Sequence, residues 1–252
     1  MREIKCGLLG KTLGHSRSPE IHSRLGDYPY RLYEMPETEV PAFLRSGEWT
    51  GLNVTIPYKK TVVPFLDELS PVADRIGSVN TIVRRTDGSL YGDNTDVYGF
   101  EAMVRRAGFE LKGEKTLVLG SGGASAAVQE ALRRLGADPV VVISRSGPFH
   151  YGNLHLQADA TYLVNTTPVG MYPETDAQPL DLAALPGLRG VLDLIYRPLE
   201  TKLLKQAGEL GIPGRNGLYM LVAQAWKSAE QFLGEKIPEE RVETIYREMI
   251  KA

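Results

Sequence analysis

Short apolar runs alternate with segments of helical pattern along the chain, which is typical of an α/β protein. In the first part of the chain, alternating or continuous apolar runs predict strands, and the segments between them predict helices. Pro19 fits the first turn of one helix, with Ser18 in front of it as the N-cap. The predicted strands cover residues 4–9, 30–35, 52–55, 81–84 and 90–91, and the predicted helices cover residues 19–25, 40–45, 59–65 and 97–107.

A second series of apolar runs starts at Lys115 and predicts a parallel nucleotide-binding sheet. Its strands are expected at residues 116–120, 140–144, 162–165 and 191–194, with a helix at 124–135 after a glycine-rich turn. Residues 147–160 have no clear helical period, so part of the crossover after the second strand is expected to be abbreviated. Two final helices, at about 217–233 and 239–251, are expected to return to the first region and make it discontinuous.

The composition is that of an ordinary globular protein. Of the 252 residues, 42% are hydrophobic and 24% are charged, and the formal net charge is −2. Because there is no basic excess, neither nucleic acid nor an anionic membrane is expected as a partner. The length is sufficient for two domains, each with its own core.

Cysteine usage and the absence of long apolar runs favour a cytoplasmic location. The single cysteine, Cys6, lies in the first apolar run, so it can form no intramolecular disulfide and is expected to be an inert core thiol. No apolar run approaches the ~18 to 20 residues needed to span a bilayer, and the N-terminus has no pattern of a signal segment.

A candidate catalytic group follows the third predicted strand, in the segment NVTIPYK at residues 53–59. Apolar and polar residues alternate there as on a strand leaving the core, and Lys59 follows the rigid Pro57. A lysine near a fixed carboxylate, such as Asp96 in the later segment NTD, can exchange a proton with a hydroxyl or carbonyl group. The alternative interpretation is a surface lysine after a turn.

The glycine-rich turn after residue 119 predicts a phosphate site. It follows a strand and opens a helix, so small residues let the backbone approach a pyrophosphate at the helix N-terminus. The alternative is a simple tight turn. The residues expected to bind the pyrophosphate are Gly120, Ser121, Gly122, Gly123 and Ala124.

The end of the next strand favours NADP over NAD. An NAD site places a carboxylate there for the ribose 2′-hydroxyl, whereas this chain has Ser144, Arg145 and Ser146 and no acid nearby. Arg145 can clamp a 2′-phosphate, and both serines can donate to it. The alternative interpretation is that Arg145 is a solvated charge at the end of a strand.

Eight motifs taken together resemble the successive signatures of the shikimate dehydrogenase family, and they cover essentially the whole chain. Their order and spacing are more specific than any one of them. They are GKTLGHSRSPEIH at residues 10–22, NVTIPYK at 53–59, ADRIGSVNT at 73–81, GDNTD at 92–96, GSGGA at 120–124, NTTPVGM at 165–171, DLIY at 193–196 and GLYMLVAQA at 217–225.

The resemblance implies an oxidoreductase acting on a CH–OH group, which reversibly reduces 3-dehydroshikimate to shikimate with NADPH and without a metal, in the shikimate pathway of aromatic amino-acid biosynthesis. It implies an α/β fold of two domains with a cleft between them: an N-terminal α/β substrate domain at residues 1–100, completed by helices at about 222–252, and a Rossmann-like NADP-binding domain at 101–221. No His, Cys and carboxylate cluster has metal-ligand spacing.

The resemblance also implies roles for individual residues. Lys59 is the expected acid and base, and Asp96 is its partner. The substrate carboxylate is expected to be held by Ser16 and Ser18, and the ring hydroxyls by Thr55, Asn80, Asp96 and Gln224. Two further residues, Asn53 and Tyr196, are expected on the substrate side. The cofactor phosphates are expected at Gly120 to Ala124 and Ser144 to Ser146, and the nicotinamide near Leu194 and Gly217.

Three residues depart from the family pattern. Thr12 replaces a proline and Ser23 replaces an asparagine, and both are expected to adjust only the loop and the first helix. Val97 replaces a glycine directly after Asp96 and adds a β-branched side chain there, so it is expected to affect turnover or substrate fit.

Several alternatives stay open at the level of sequence. The chain could be a quinate/shikimate dehydrogenase with relaxed cofactor choice, or a non-catalytic NADP-binding relative, although the latter would be expected to lose Lys59 or Asp96. Lys59 could act alone or as a dyad with Asp96. The oligomeric state is not determined, with a homodimer as one possible assembly, and domain closure during turnover is plausible.

Overall fold

The structure is a computed structural model that describes residues 3–251. The chain divides into two compact units. The first unit contains the residues up to Gly99 together with those from Val222 onward, and the second unit contains Phe100–Leu221.

The first unit contains a mixed six-stranded sheet in the order β2-β1-β3-β5-β6-β4. Strand β1 is parallel to β2 and β3, whereas β5 is antiparallel to β3 and β6. The strands are β1 (Cys6–Gly10), β2 (Tyr30–Glu34), β3 (Gly51–Val54), β4 (Glu68–Leu69), β5 (Thr81–Arg84) and β6 (Leu90–Asp93). The helices before the second unit are α1 (Ser18–Leu25), α2 (Val40–Arg45), α3 (Pro71–Ile76) and α4 (Thr95–Ala107), in which the chain enters the second unit.

The second unit contains a five-stranded, all-parallel sheet in the order β11-β10-β9-β7-β8. The strands are β7 (Thr116–Leu119), β8 (Val140–Ile143), β9 (Tyr162–Asn165), β10 (Gly190–Asp193) and β11 (Gly214–Asn216). Helix α5 (Gly123–Arg134) joins β7 to β8, and α6 (Lys202–Glu209) joins β10 to β11. Because β8 and β9 pair with opposite sides of β7, the carboxyl end of β7 is a switch point, where doubly wound sheets bind ligands.

Two further helices complete the chain. Helix α7 (Leu218–Leu233) begins in the second unit and ends in the first, and α8 (Glu240–Lys251) belongs to the first. No helix within residues 3–251 is long and apolar enough to cross a membrane.

A dense core fixes the first sheet. Leu9, Trp49, Leu52 and Ile82 are fully buried. Removal of each of the three aliphatic side chains from water contributes about 1.5–3 kcal/mol to the stability of the fold. Cys6 is 1% exposed, and burial raises the pKa of its thiol to about 12. The prediction that Cys6 lies in the core is therefore confirmed.

The α/β prediction and the two series of strands are confirmed, and the predicted ends of the strands lie close to the observed ones. The abbreviated crossover is also confirmed, since a 3-10 helix at Tyr151–Gln157 stands where an α-helix would usually precede β9. Val97, the departure from the family pattern, is 1% exposed in the first turn of α4.

Two local predictions are wrong. Residues 59–65 form turns and a 3-10 helix at Val63–Phe65 instead of an α-helix, because Pro64 lacks a backbone N–H donor and follows two β-branched valines. Helix α1 begins at Ser18 itself, behind Arg17 as an N-cap without a side-chain hydrogen bond, although a proline does occupy its first turn.

Among the described residues, two α-helices, α3 and α6, and two strands, β4 and β11, were not predicted. Helix α3 has only six residues, too few for a helical period to be visible in the sequence. It is instead fixed at its ends, by Ser70, whose hydroxyl accepts from the Ala73 N–H, and by Gly77, whose φ is +59°.

Candidate active site

A tight turn after β3 positions Lys59. The Tyr58 N–H donates to the Thr55 carbonyl at 2.9 Å, and this turn contains the cis peptide bond between Ile56 and Pro57. The Tyr58 ring is fully buried, and its hydroxyl donates to the Met35 carbonyl at 2.6 Å. The turn is thus anchored in the core immediately before the lysine.

Lys59 and Asp96 form an ion pair. The Lys59 ammonium donates to Asp96 Oδ2 at 2.6 Å, and the two side chains are 16% and 11% exposed. Asp96 lies in the first turn of α4, where the helix dipole favours a carboxylate. A lysine ammonium has three donors, so Lys59 can hold Asp96 and still donate to a ligand.

Asn80 holds the other oxygen of Asp96. Its Oδ1 accepts from the Thr95 N–H at 2.7 Å, and since a backbone N–H can only donate, this contact fixes the orientation of the amide. Asn80 Nδ2 then donates to Asp96 Oδ1 at 2.9 Å and faces Gln224 Oε1 at 3.4 Å. Lys59, Asn80, Asp96 and Gln224 therefore meet in one cluster.

Asn53 is buried beside this cluster, at the centre of β3. Its Oδ1 accepts from the Tyr30 hydroxyl at 2.8 Å, and its Nδ2 donates to Ser228 Oγ at 2.8 Å and to the Asn80 carbonyl at 3.3 Å. The Tyr30 phenol also lies beside the side chain of Ser18. Tyr30 therefore connects Ser18, the first residue of α1, with the Asn53 amide on β3.

The remaining predicted substrate residues of the first unit are half-buried. The Ser18 N–H donates to Ser16 Oγ at 3.2 Å, which holds the two serines together. Thr55 follows β3, and its N–H donates to the Leu9 carbonyl at 2.9 Å. These hydroxyls, amides and one ammonium can serve an anionic, polyhydroxylated molecule, since they supply donors for a carboxylate and both donors and acceptors for hydroxyls.

In the second unit, the loop between β7 and α5 is rich in glycine, so few side chains cover its backbone. Gly120 has a φ of +100°, a conformation in which side chains are strained. Gly122 is the N-cap of α5 without a side-chain hydrogen bond, and an added Cβ at Gly122 or Gly123 would meet no described atom within 4 Å. No side chain therefore caps this twelve-residue helix, and there is room beside its first residues, which fits a pyrophosphate. Ser121 is exposed, whereas Ala124 is partly buried.

Arg145 is exposed in the loop after β8. Ser144 is half-buried, and its N–H donates to the Phe149 carbonyl at 3.1 Å, which folds the loop back on itself. Ser146 is exposed like Arg145. A cation and two hydroxyls with no acid among residues 144–150 fit a phosphate group.

A buried carboxylate fixes the end of β10. Asp193 Oδ1 accepts from Asn165 Nδ2 at 3.0 Å and from the Ile195 N–H at 3.1 Å, and Oδ2 accepts from the Thr201 hydroxyl at 2.7 Å. Burial raises the pKa of Asp193 to about 6. These contacts set the path of the chain through Leu194, one of the residues predicted to lie near the nicotinamide.

Gly217 packs directly against this segment. Its N–H donates to the Ile195 carbonyl at 3.0 Å, and a Cβ at Gly217 would collide with the Leu194 carbonyl. Only glycine fits this close approach. Tyr196, predicted on the substrate side, belongs to this second unit and is partly buried.

The sequence prediction missed residues that support the predicted ones. Thr81 and Thr95 lie inside quoted motifs, and Ser228 lies one helical turn after Gln224. The four-residue spacing on α7 places Gln224 and Ser228 on one helix face and could have revealed Ser228. Within residues 3–251, no group of three or more His, Cys, Asp or Glu residues is placed to hold a metal ion.

Comparison with known proteins gives consistent matches over the whole chain. The family described as shikimate dehydrogenase substrate binding domain matches residues 8–82. A protein named shikimate dehydrogenase (NADP(+)) from Clostridium perfringens (strain SM101 / Type A) is 38% identical, and the alignment covers 96% of this chain and 97% of that protein.

Solved structures are similar as well. Shikimate 5-dehydrogenase from Thermus thermophilus, in complex with NADP(H) and shikimate, has a TM-score of 0.87 and 32% identity, and the match covers 97% of this chain and 99% of that one. Quinate dehydrogenase from Corynebacterium glutamicum, in complex with NAD, has a TM-score of 0.88 and 28% identity, and the match covers 99% of both chains.

Proposed function

This chain belongs to the shikimate dehydrogenase family, and we propose on that premise that it is an NADP-dependent oxidoreductase that interconverts 3-dehydroshikimate and shikimate. The observation that carries the proposal is the ion pair of Lys59 and Asp96, held within a cluster of buried amides and hydroxyls. A non-catalytic relative would be expected to lose Lys59 or Asp96, and this chain has both.

Proton transfer is assigned to Lys59. NADPH supplies the hydride when bound. As the carbonyl carbon gains that hydride, negative charge grows on its oxygen, and Lys59 donates a proton to it, so that C=O becomes CH–OH. Asp96 holds the ammonium in position and accepts from an adjacent ring hydroxyl. In the reverse direction neutral Lys59 takes the hydroxyl proton.

Binding of the substrate is assigned to side chains that surround this pair. Ser16 and Ser18 donate to the carboxylate, since the Ser18 N–H donates to Ser16 Oγ and keeps the two serines together at the start of α1. The ring hydroxyls are bound by Thr55, Asn80, Asp96 and Gln224, with Asn53 as a further contact. We assign these roles to the first unit as a substrate domain. The substrate-side role of Tyr196, which belongs to the second unit, stays a prediction from the resemblance.

Binding of the cofactor is assigned to the second unit as a Rossmann-like domain. The loop from Gly120 to Ala124 offers uncapped helix amides to the pyrophosphate. Ser144, Arg145 and Ser146 bind the 2′-phosphate, while Leu194 and Gly217 line the nicotinamide end. The aromatic amino-acid pathway as context, a cytoplasmic location and a possible homodimer stay predictions.

The assay that tests the function follows the absorbance of reduced nicotinamide with shikimate or quinate and with NADP⁺ or NAD⁺, in all four combinations. We expect reduction with shikimate and NADP⁺ and little in the other three pairs. Substantial rates with quinate or NAD⁺ would assign the chain to a quinate/shikimate dehydrogenase of relaxed choice. Inactivity in every pair would contradict the proposal and favour a non-catalytic relative.

The same assay tests Arg145. In the Arg145→Ala variant the KM for NADP⁺ should rise about 10- to 100-fold, because a charge-assisted contact to the 2′-phosphate is lost. Whatever rate NAD⁺ supports should stay nearly unchanged. Arg133→Ala, which removes an arginine of α5 that pairs with Glu130, is the matched control. Equal losses with both cofactors would contradict the assignment of Arg145.

A further inference from the structure

Three buried hydroxyls meet at one point of the first unit. Ser228 Oγ lies 2.8 Å from the Thr81 hydroxyl and 3.0 Å from the Thr95 hydroxyl, and the two threonine hydroxyls are 3.2 Å apart. Thr81 and Ser228 are fully buried and Thr95 is 1% exposed. We refer to Thr81, Thr95 and Ser228 as the hydroxyl triangle. Because its members are enclosed, none of them can touch a substrate.

Ser228 has a fixed role in the triangle. Its hydroxyl donates to the Gln224 carbonyl at 3.0 Å, an oxygen that can only accept. Its single proton is thereby used, so Ser228 can only accept from its other neighbours, which are Asn53 Nδ2 at 2.8 Å and the two threonine hydroxyls, and its two lone pairs serve two of them. Without this oxygen, two buried donors would lose a partner, which is costly in a dry interior.

The triangle contacts both buried amides of the candidate site. Asn53 Nδ2 donates to Ser228 and lies 3.3 Å from the Thr81 hydroxyl. Asn80 Oδ1 accepts from the Thr81 hydroxyl at 3.0 Å, and Asn80 Nδ2 donates to the Thr95 hydroxyl at 3.0 Å. Asn80 in turn holds Asp96, and Asp96 holds Lys59.

We propose that Ser228 is a positioning residue for catalysis, which through the hydroxyl triangle orients Asn53 and Asn80 and, through Asn80, the ion pair of Asp96 and Lys59. The proposal rests on the function proposed above and adds a residue that lies outside the quoted motifs. Helix α7 then has two tasks: Gln224 faces the ligand, and Ser228, one turn later, supports the residues opposite it.

The effect on rate follows from geometry. Removal of one hydroxyl lets the amides and the carboxylate shift by a fraction of an ångström, and errors of about 1 Å in a catalytic group cost up to about 100-fold. The proposed cofactor residues belong to the second unit, whereas the triangle belongs to the first, so the KM for NADP⁺ should not change.

The test compares three variants in the shikimate assay with saturating NADP⁺. Ser228→Ala and Thr81→Val remove a hydroxyl without adding bulk, whereas Thr81→Ser keeps the hydroxyl and removes a methyl group. We expect kcat to fall about 10- to 100-fold in the first two. Thr81→Ser should stay within about threefold of wild type, and the KM for NADP⁺ should stay within about twofold in all three.

Outcomes are judged against melting temperature measured on the same samples. A lower melting temperature with wild-type kcat in Ser228→Ala would overturn the proposal, because the hydroxyl would then be purely structural. Equal losses in Thr81→Ser and Thr81→Val would also overturn it. If Thr81→Val does not fold, the kcat of Ser228→Ala alone decides the outcome. If neither variant folds, the proposed role of Ser228 in the reaction rate is overturned. Turnover by the wild type tests the proposed function separately, since the variants are compared only with that rate.

Discussion

The two candidate binding regions are built from different parts of the polypeptide. In the first unit, side chains make the site: Asn53, Asn80 and Asp96 are buried and hydrogen-bonded to one another or to neighbours before any ligand arrives. In the second unit, backbone makes the site: Gly122 and Gly123 leave the N-terminus of α5 open, and Arg145 is exposed.

This difference teaches where order is needed. A proton donor must be held to within a fraction of an ångström, so the residues around Lys59 are fixed by several contacts each. A phosphate group is recognised by amides whose direction is already set by the helix, so few side chains are needed there. We therefore expect substitutions to act on turnover in the first unit and on cofactor affinity in the second.

The largest expected effect is at Lys59. Lys59→Ala removes the proton donor while the fold is retained, and general acid and base catalysis is typically worth ~100- to 10,000-fold. The variant should therefore lose kcat in that range with shikimate and NADP⁺. Lys60→Ala, at the neighbouring exposed lysine, is the control and should keep its rate. Near-normal turnover by Lys59→Ala would remove Lys59 from the mechanism.

A smaller effect is expected at Gly120, on affinity instead of turnover. A Cβ there would lie 3.0 Å from Thr166 Oγ1 and would be strained at a φ of +100°. Gly120→Ala should raise the KM for NADP⁺ about tenfold or more, since displacing the helix amides costs roughly as much as the loss of one charged hydrogen bond.

Gly113→Ala separates strain from binding. Gly113 also has a positive φ, +70°, and an added Cβ would meet no described atom within 4 Å. Both alanine variants should lose stability through backbone strain, whereas only Gly120→Ala should lose affinity for NADP⁺. A similar KM in the two variants would show that the loop backbone is not a cofactor site.

The smallest expected effect is a pH dependence of stability from His22 in the first unit. His22 is fully enclosed and stacks on Tyr30 at 3.9 Å between ring centroids. Burial lowers its pKa from 6.5 to about 3. The unfolded chain therefore binds a proton that the folded chain does not, so stability from this group is complete above pH 6.5 and is lost as the pH falls toward 3.

The variant His22→Phe should remove this pH dependence. Below pH 6.5 the wild type should lose up to about 1.4 kcal/mol of unfolding free energy per pH unit more than the variant, as measured by urea unfolding. Tyr28→Phe removes the hydroxyl that contacts His22 Nδ1 at 2.7 Å but keeps the imidazole, so its slope should match the wild type. If the unfolding free energies of His22→Phe and wild type changed equally with pH, burial of His22 would not be the cause of the pH dependence.

Sequence reasoning reached the fold class and the Lys59 and Asp96 pair because strand periodicity and short motifs are local signals. It did not reach Ser228, whose partner Asn53 is 175 residues away and whose role depends on three hydroxyls that only the fold brings together. The wrong helix at 59–65 has a local cause, because the apolar spacing there resembles a helix, whereas Pro64 and the two β-branched valines before it do not allow one.

The second unit interrupts the chain of the first, and its own two ends lie side by side, with the Arg106 guanidinium over the Tyr219 ring at 4.9 Å. A continuous unit whose ends meet can fold before its host does. Once it has folded, the loop that must close between Asn53 and Ser228 is effectively shorter, which lowers the entropy cost of closing it. We therefore expect the hydrogen bond between Asn53 and Ser228 to form after the second unit has folded, so that a chain acquires its cofactor loop before Ser228 supports the catalytic residues.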